Sequence, residues 1–80
     1  MGAYVKAEAA YRSAIALRPT NPHAYNYLGL TYHQQRRYRE ALAAYRQAIA
    51  QAPDYAVAYV KLATTTEALG QTAQALTAYR

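Results

Sequence analysis

Apolar residues recur at helical spacing in two successive blocks of the chain. In the first block they lie at i, i+4, i+7 and i+8, and in the second at i, i+3 and i+7; they are Ala7, Tyr11, Ala14 and Ile15, then Tyr25, Leu28 and Tyr32. Such a stripe is typical of an amphipathic helix. The pattern and its interruptions predict helices at about 3–17, 22–35, 38–51, 55–69 and 72–80. Because the connections are short, consecutive helices should be antiparallel.

Capping and breaking residues lie at the predicted helix ends. Asn21 has the amide that caps a first turn, and Pro22 fits the first helical position that follows it. The remaining signals are Asp54 as a second cap, Pro19 and Pro53 as stops after the first and third helices, and Gly70 as the end of the fourth.

The chain also repeats itself at a spacing of 34 residues. When residues 1–46 are compared with residues 35–80, 19 of the 46 pairs are identical, against about 5 expected by chance from this composition. The matches are clustered, for example Ala7, Tyr11, Arg12 and Ala14 with Ala41, Tyr45, Arg46 and Ala48, and a third copy begins with Ala75, Tyr79 and Arg80. A period of this length indicates stacked helical repeats.

One period of the chain resembles the tetratricopeptide repeat. That signature has an aromatic residue, Leu, Gly and Tyr on its first helix and Ala, an aromatic residue, Ala and Pro on its second; here those places hold Tyr25, Leu28, Gly29, Tyr32, Ala41, Tyr45, Ala48 and Pro53. The resemblance implies an all-α fold, a right-handed superhelical solenoid of antiparallel helix pairs with about five helices. It also implies a single domain over 1–80, in which 2–21 is the second helix of a partial repeat, 22–55 a complete repeat and 56–80 a truncated one.

Two departures from the repeat pattern have structural consequences. Arg36 occupies the turn position at which the register has Gly2 and Gly70, and a left-handed conformation there would cost about 1 kcal/mol. In the last copy Thr66 replaces the tyrosine expected opposite Tyr32. Because threonine loses rotamer freedom in a helix, we expect the last repeat to be the weakest.

The resemblance further implies a concave groove, lined by the first helices of the repeats, that binds segments of other proteins. The residues away from the packing stripe on these helices are His23, Asn26, Tyr27, Leu30, His33 and Gln34, then Val57, Val60, Lys61, Thr64 and Glu67. Few of them are charged, which suits a peptide held by apolar contacts and a few hydrogen bonds. A clamp for the carboxylate tails of chaperones is not expected, since only Lys61 matches its polar residues.

A basic surface is the second candidate, because nine Lys+Arg against four Asp+Glu give a formal charge of +5. Its residues are Arg12, Arg36, Arg37, Arg39 and Arg46, of which Arg12 and Arg46 recur with Arg80 at the repeat spacing as an outer ladder. Arginine near aromatic residues is typical of proteins that bind single-stranded nucleic acid. Here the neighbouring tyrosines are packing positions, so a solvated face is the favoured interpretation and a nucleic-acid or other acidic partner is disfavoured.

The composition excludes several classes of protein. The chain has 20 Ala and 10 Tyr, so a compact domain built from it would have a thin core. It has no cysteine, which excludes disulfides and thiolate sites. Lys6, Glu8 and Arg12 interrupt the N-terminal segment, and no stretch approaches the length of a membrane span. We therefore expect no membrane insertion, and a cytoplasmic location is favoured.

Nothing in the sequence points to catalysis, a metal or a cofactor. His23 and His33 are ten residues apart, whereas a helical metal pair is typically four apart. The lone Ser13 has no nucleophile motif around it. We therefore expect a non-enzymatic interaction module or scaffold that binds a protein or peptide segment in the groove. The alternative is structural self-assembly into a homo-oligomer through uncapped repeat ends, where apolar surface would be exposed.

Overall fold

The computed structural model is helical, and it describes the backbone of residues 2–78 and the side chains of residues 2–70. Its helices are α1 (Gly2–Leu17), α2 (Pro22–Gln34), α3 (Tyr38–Gln51) and α4 (Ala56–Ala78). Each helix packs against the next along the chain, and α2 also touches α4. The molecule is a flat layer with extents of 46 × 32 × 13 Å. The all-α prediction is confirmed, although the described backbone has four helices where five were predicted.

The first three helices begin and end close to the predicted capping and breaking residues. The Oδ1 atom of Asn21 accepts a hydrogen bond of 3.0 Å from the backbone N–H of His23, and Pro22 is the first residue of α2. Helix α1 ends two residues before Pro19, and α3 ends two residues before Pro53. These signals were therefore sufficient to place the ends of α1 and α3 and the start of α2.

The turn between α2 and α3 has the predicted left-handed residue. Arg36 has a φ of 62° and is the one non-glycine residue of the described backbone with a positive φ. This conformation lets the N–H groups of Arg36 and Arg37 donate to the carbonyls of His33 and Tyr32, each at 2.9 Å. The last turn of α2 thus obtains the partners that it would otherwise lack, and these bonds offset the strain at Arg36.

A fully buried contact lies between α2 and α3. Tyr45 is fully buried, and its ring lies so close to Gly29 that a Cβ there would be 2.5 Å from the nearest ring carbon. Ala41 and Ala48 on α3 are also fully buried, and Tyr32 of α2 belongs to the same cluster. Small residues on both helices therefore make room for the large ring between them.

Helix α4 is longer than the sequence predicts. A turn was expected at Gly70 between helices at 55–69 and 72–80, but the backbone is helical throughout α4. No glycine of the described backbone has a positive φ, so Gly70 continues the helix at a cost of about 1 kcal/mol relative to alanine. The predicted turn is wrong. The predicted cap at Asp54 is also wrong, because α4 begins two residues after it.

The surface of α4 offers a physical reason why the chain does not fold back onto it. The position of α4 equivalent to Gly29 is Ala63, and a Cβ at Gly29 would collide with the ring of Tyr45. A returning helix with a tyrosine in the same register would meet that obstacle on α4. The side chains expected to start a third copy, including Tyr79, lie outside the described side chains.

Candidate functional site

The predicted groove residues lie on α2 and α4, two helices that touch. Those with exposed side chains are His23, Tyr27, Gln34, Val57, Val60, Thr64 and Glu67, and those half-buried are Leu30, His33 and Lys61. Val60 is 63% exposed, and Tyr27 and Val57 are each 47% exposed. We call the set Tyr27, Leu30, Val57, Val60, Lys61 and Thr64 the groove strip.

Asn26 lies in the interior rather than on the groove surface. It is only 4% exposed, and its side-chain oxygen is buried with no hydrogen-bond partner among the described residues. Helix α2 packs against α1, α3 and α4, so its buried arc is wider than a stripe that faces one neighbour. The exposed arc that remains contains His23, Tyr27 and Gln34. The expectation that Asn26 contacts a partner directly is therefore corrected.

The two histidines link α2 to α4 and to the segment that leads into it. His23 Nδ1 lies 3.0 Å from the hydroxyl of Tyr55, and the two rings meet edge to face. His33 Nδ1 lies 2.8 Å from the hydroxyl of Thr65, and its ring meets Tyr38 edge to face. The histidines thus tie α2 to Thr65 of α4 and to Tyr55, which precedes α4.

Tyr27 is held in place by a neighbouring helix. Its ring stacks on that of Tyr11 in α1, with 5.6 Å between ring centres and 20° between planes. A pair of this geometry is stabilising beyond the area that it buries. The stack keeps the half-exposed ring of Tyr27 in one orientation, which is the state in which an aromatic side chain is best suited to contact a partner.

A network of charged side chains connects α1, α2 and α3. Glu8 accepts hydrogen bonds from Arg12 Nε (3.2 Å), Arg37 Nη1 (3.1 Å) and the hydroxyl of Tyr32 (3.2 Å). Arg12 also donates to the Tyr32 hydroxyl, and Arg37 also donates to Glu40. The guanidinium of Arg37 lies 4.6 Å from the centre of the Tyr32 ring, within the range of a cation–π contact.

These contacts change the predicted basic surface. Arg12 is a surface residue, but its charge is paired with Glu8 instead of standing free on an outer ladder. Arg37 is likewise paired with Glu8 and Glu40. The four-residue spacing of Glu8 and Arg12 could have indicated their pairing. Glu8 contacts Tyr32 and Arg37, which lie 24 and 29 residues away in sequence. No local sequence pattern could have predicted these two contacts.

The network also shifts acid–base equilibria. Burial acts to raise the pKa of Glu8, but hydrogen bonding and attraction from Arg37, with help from Tyr32 and Arg12, hold the pKa below its ordinary value. For Tyr32 burial dominates, and its pKa lies above the usual value although Arg12 opposes the rise. Glu8 is therefore ionised in the folded protein over a wider pH range than a free glutamate.

Arg36, Arg39 and Arg46 form no ion pair among the described side chains, in contrast to Arg12 and Arg37. Arg36 and Arg39 line a cavity of about 370 Å³ at the turn between α2 and α3, together with Arg37, Tyr38, Glu40 and Leu69. A second cavity of about 320 Å³ lies over α2 between α1 and α3, and Leu28, Tyr25 and Ala44 contribute to its walls.

Within the described part of the chain, no three side chains of the metal-binding types come together. None of the described helices combines the length and apolar character needed to cross a bilayer.

Comparisons with known proteins identify repeats along nearly the whole chain. A tetratricopeptide repeat model matches residues 22–55, a TPR repeat model matches residues 1–36, and a further tetratricopeptide repeat model matches residues 44–77. Together these matches extend over residues 1–77. No curated protein and no solved structure matches the chain.

Proposed function

Because this chain belongs to the tetratricopeptide repeat family, we propose that it is an interaction module that binds an extended segment of another protein along the groove strip. Tetratricopeptide repeats are in general non-catalytic modules for protein–protein interaction. The observation that carries the proposal is the exposure of three large apolar side chains, Tyr27, Val57 and Val60, on two touching helices.

The chemistry of the strip suits a segment with few charges. Lys61 is its one charged member and is half-buried, while Thr64 has its hydroxyl bonded to the carbonyl of Val60. Affinity should then come from apolar area, at roughly 25 cal/mol per Å² before the costs of ordering the segment. Binding through such a surface should depend only weakly on salt concentration.

The experiment uses peptides selected from a random library by binding to the purified chain, with affinities measured by fluorescence anisotropy. Val60→Asp places a charge on the strip, and Tyr27→Ala removes its aromatic ring. We expect each substitution to weaken binding by about tenfold or more, since hot-spot residues contribute at least 1 to 2 kcal/mol. Lys61→Glu tests whether the single cation contributes to the contact.

Tyr59→Ala is the matched control, because Tyr59 is a 48% exposed tyrosine of α4 outside the strip. It should leave affinity within about twofold, the size expected of a residue outside the contact. Circular dichroism should show unchanged helicity for Val60→Asp. Equal affinities for the parent chain, Val60→Asp and Tyr27→Ala would refute the assignment of the strip.

A second candidate function, self-association, is favoured by apolar side chains elsewhere on the surface. Leu17 and Val5 of α1 are 83% and 66% exposed, and Tyr59 of α4 is also exposed. We propose that these outer faces can meet between copies. Light scattering during size-exclusion chromatography tests this, because association requires a mass that rises with concentration and that falls again in the double variant Val5→Ser, Leu17→Ser. A constant monomer mass would exclude it.

A further inference from the structure

The cavity at the turn between α2 and α3 is lined by arginines that differ in their partners. Arg37 is saturated by Glu8 and Glu40. Arg36 and Arg39 are exposed and have no ion pair among the described side chains. Among the described residues of the cavity wall, the acidic one is Glu40, which is already paired with Arg37. The cavity therefore has two positive charges that none of the described side chains neutralises.

The backbone at Arg36 has a conformation in which an arginine is unusual. Arg36 is held at a φ of 62°, where glycine is the favoured residue. The chain has glycine at both equivalent positions of the repeat register, Gly2 and Gly70. A strained conformation at a surface turn is a reasonable starting point for a functional hypothesis, and what arginine adds over glycine here is a guanidinium at the mouth of the cavity.

The other walls limit what can enter. Tyr38 and Leu69 contribute apolar surface, and the cavity volume of about 370 Å³ is near the lower end of ligand sites. The Tyr38 ring already contacts His33 edge to face, with 5.2 Å between ring centres. It is poorly placed to stack on a base, and the neutralised charges of Arg12 and Arg37 interrupt any continuous phosphate-binding track.

We propose that this cavity binds a carboxylate side chain of an acidic protein segment, with Arg36 and Arg39 as its two guanidinium partners. Planar guanidinium groups match carboxylates through paired hydrogen bonds. Tyr38 and Leu69 receive the apolar neighbour of that carboxylate. This surface is separate from the groove strip, so the chain has a second docking site with a different preference, acidic where the strip is apolar.

The test uses a short capped peptide with a Glu-Leu-Glu centre and a matched peptide with Gln-Leu-Gln, titrated against the whole chain by fluorescence anisotropy. Arg39→Gln removes one guanidinium without changing the backbone. Arg36→Gly removes the other guanidinium and places at the positive φ the residue that adopts it without strain. A loss of binding in this variant therefore cannot be due to a failure to fold. Arg46→Gln is the control, since Arg46 is an exposed arginine of α3 that has no ion pair among the described side chains and is not one of the cavity-lining residues.

We expect the glutamate peptide to bind in a salt-sensitive manner and the glutamine peptide to bind at least about tenfold more weakly. Arg36→Gly and Arg39→Gln should each weaken binding by about tenfold, and Arg46→Gln should change it less than twofold. Absence of saturation at about 1 mM peptide would overturn the proposal, as would equal binding by the arginine variants. Tighter, Arg36-dependent binding of a single-stranded oligonucleotide would replace the acidic segment with a nucleic acid.

Discussion

Two buried tyrosines of this protein should respond in opposite directions to the same substitution. Tyr45 is fully buried, and its hydroxyl oxygen is buried without a hydrogen bond of normal geometry to any of the described residues. Tyr32 is 4% exposed, but its hydroxyl is bonded to Arg12 and Glu8. Replacement by phenylalanine removes one hydroxyl group in each case and hardly changes the packing. The two variants therefore differ in the hydrogen bonding of the hydroxyl that is lost.

The magnitude for Tyr45→Phe follows from two terms. An unsatisfied buried hydroxyl costs about 1–3 kcal/mol, which the substitution recovers. The void left by one oxygen, roughly 10 Å³, costs only about 0.2–0.3 kcal/mol. We therefore expect the free energy of unfolding to rise by about 1 kcal/mol or more, which corresponds to an increase in Tm of about 4–8 °C for a chain of this size.

Tyr32→Phe should lower the free energy of unfolding by about 1–2 kcal/mol, since it removes hydrogen bonds to two charged groups while Arg12 and Glu8 can still pair directly. Urea unfolding followed by circular dichroism measures both variants. The slope of the free energy with urea should be unchanged, because neither substitution alters the surface exposed on unfolding.

Destabilisation by Tyr45→Phe would refute the reasoning. It would mean that the hydroxyl has a partner in solution, and Thr65 is the neighbour to examine. Burial raises the pKa of Tyr45, and Thr65 already offsets part of that rise. Because the hydroxyl of Thr65 is bonded to His33, Thr65→Val in the Tyr45→Phe background would separate these two contacts by a double-mutant cycle.

Three further outcomes follow from contacts of single residues. The pKa of Glu8 in the folded protein lies below the ordinary 4.5. The contribution of ionised Glu8 to stability is therefore complete above the unfolded pKa and is lost as the pH falls through the folded pKa. Urea midpoints should fall with pH in that range, and Glu8→Gln should lack the part of the fall that is due to Glu8. Gly29→Val should destabilise by about 1–3 kcal/mol in thermal unfolding, because its Cβ collides with the Tyr45 ring; an unchanged Tm would contradict the packing. Arg36→Gly should raise the free energy of unfolding by up to about 1 kcal/mol, and with it the urea midpoint, because the relief of backbone strain exceeds the entropy that glycine adds to the unfolded chain. A lower midpoint would show that the left-handed turn is not strained.

The repeat spacing predicted the α2–α3 contact well because that contact is built from residue size. A glycine at 29 and a tyrosine at 45 match the repeat signature, and the structure places the ring against the glycine. The left-handed turn at Arg36 could be predicted for a similar reason, since the register has glycine at the same place. Both features depend on local sterics at positions that the repeat register identifies, although the next copy has Ala63 in place of Gly29 and its Gly70 stays helical.

Other features required the three-dimensional arrangement. The burial of Asn26 depends on how many helices surround α2, which a pattern on one helix does not contain. The pairing of Arg37 with Glu8 joins two helices that are distant in sequence. Gly70 is the residue type that commonly ends a helix, yet the backbone there remains helical. A turn residue permits a turn, but a surface that can receive the returning helix must supply the free energy to form it.

The thickness of the molecule has a consequence for how damage would spread through it. At 13 Å, the layer is little more than one helix deep. The described backbone of α1 packs on α2 and on neither α3 nor α4, although the ion pair of Glu8 with Arg37 links α1 to the residue that precedes α3. The buried cluster lies between α2 and α3, and Tyr11 and Ile15 of α1 and Leu62 of α4 pack against it from either side. Lesions in α1 and α4 should have additive effects on stability, and hydrogen exchange should find α1 opening while α2 and α3 remain closed.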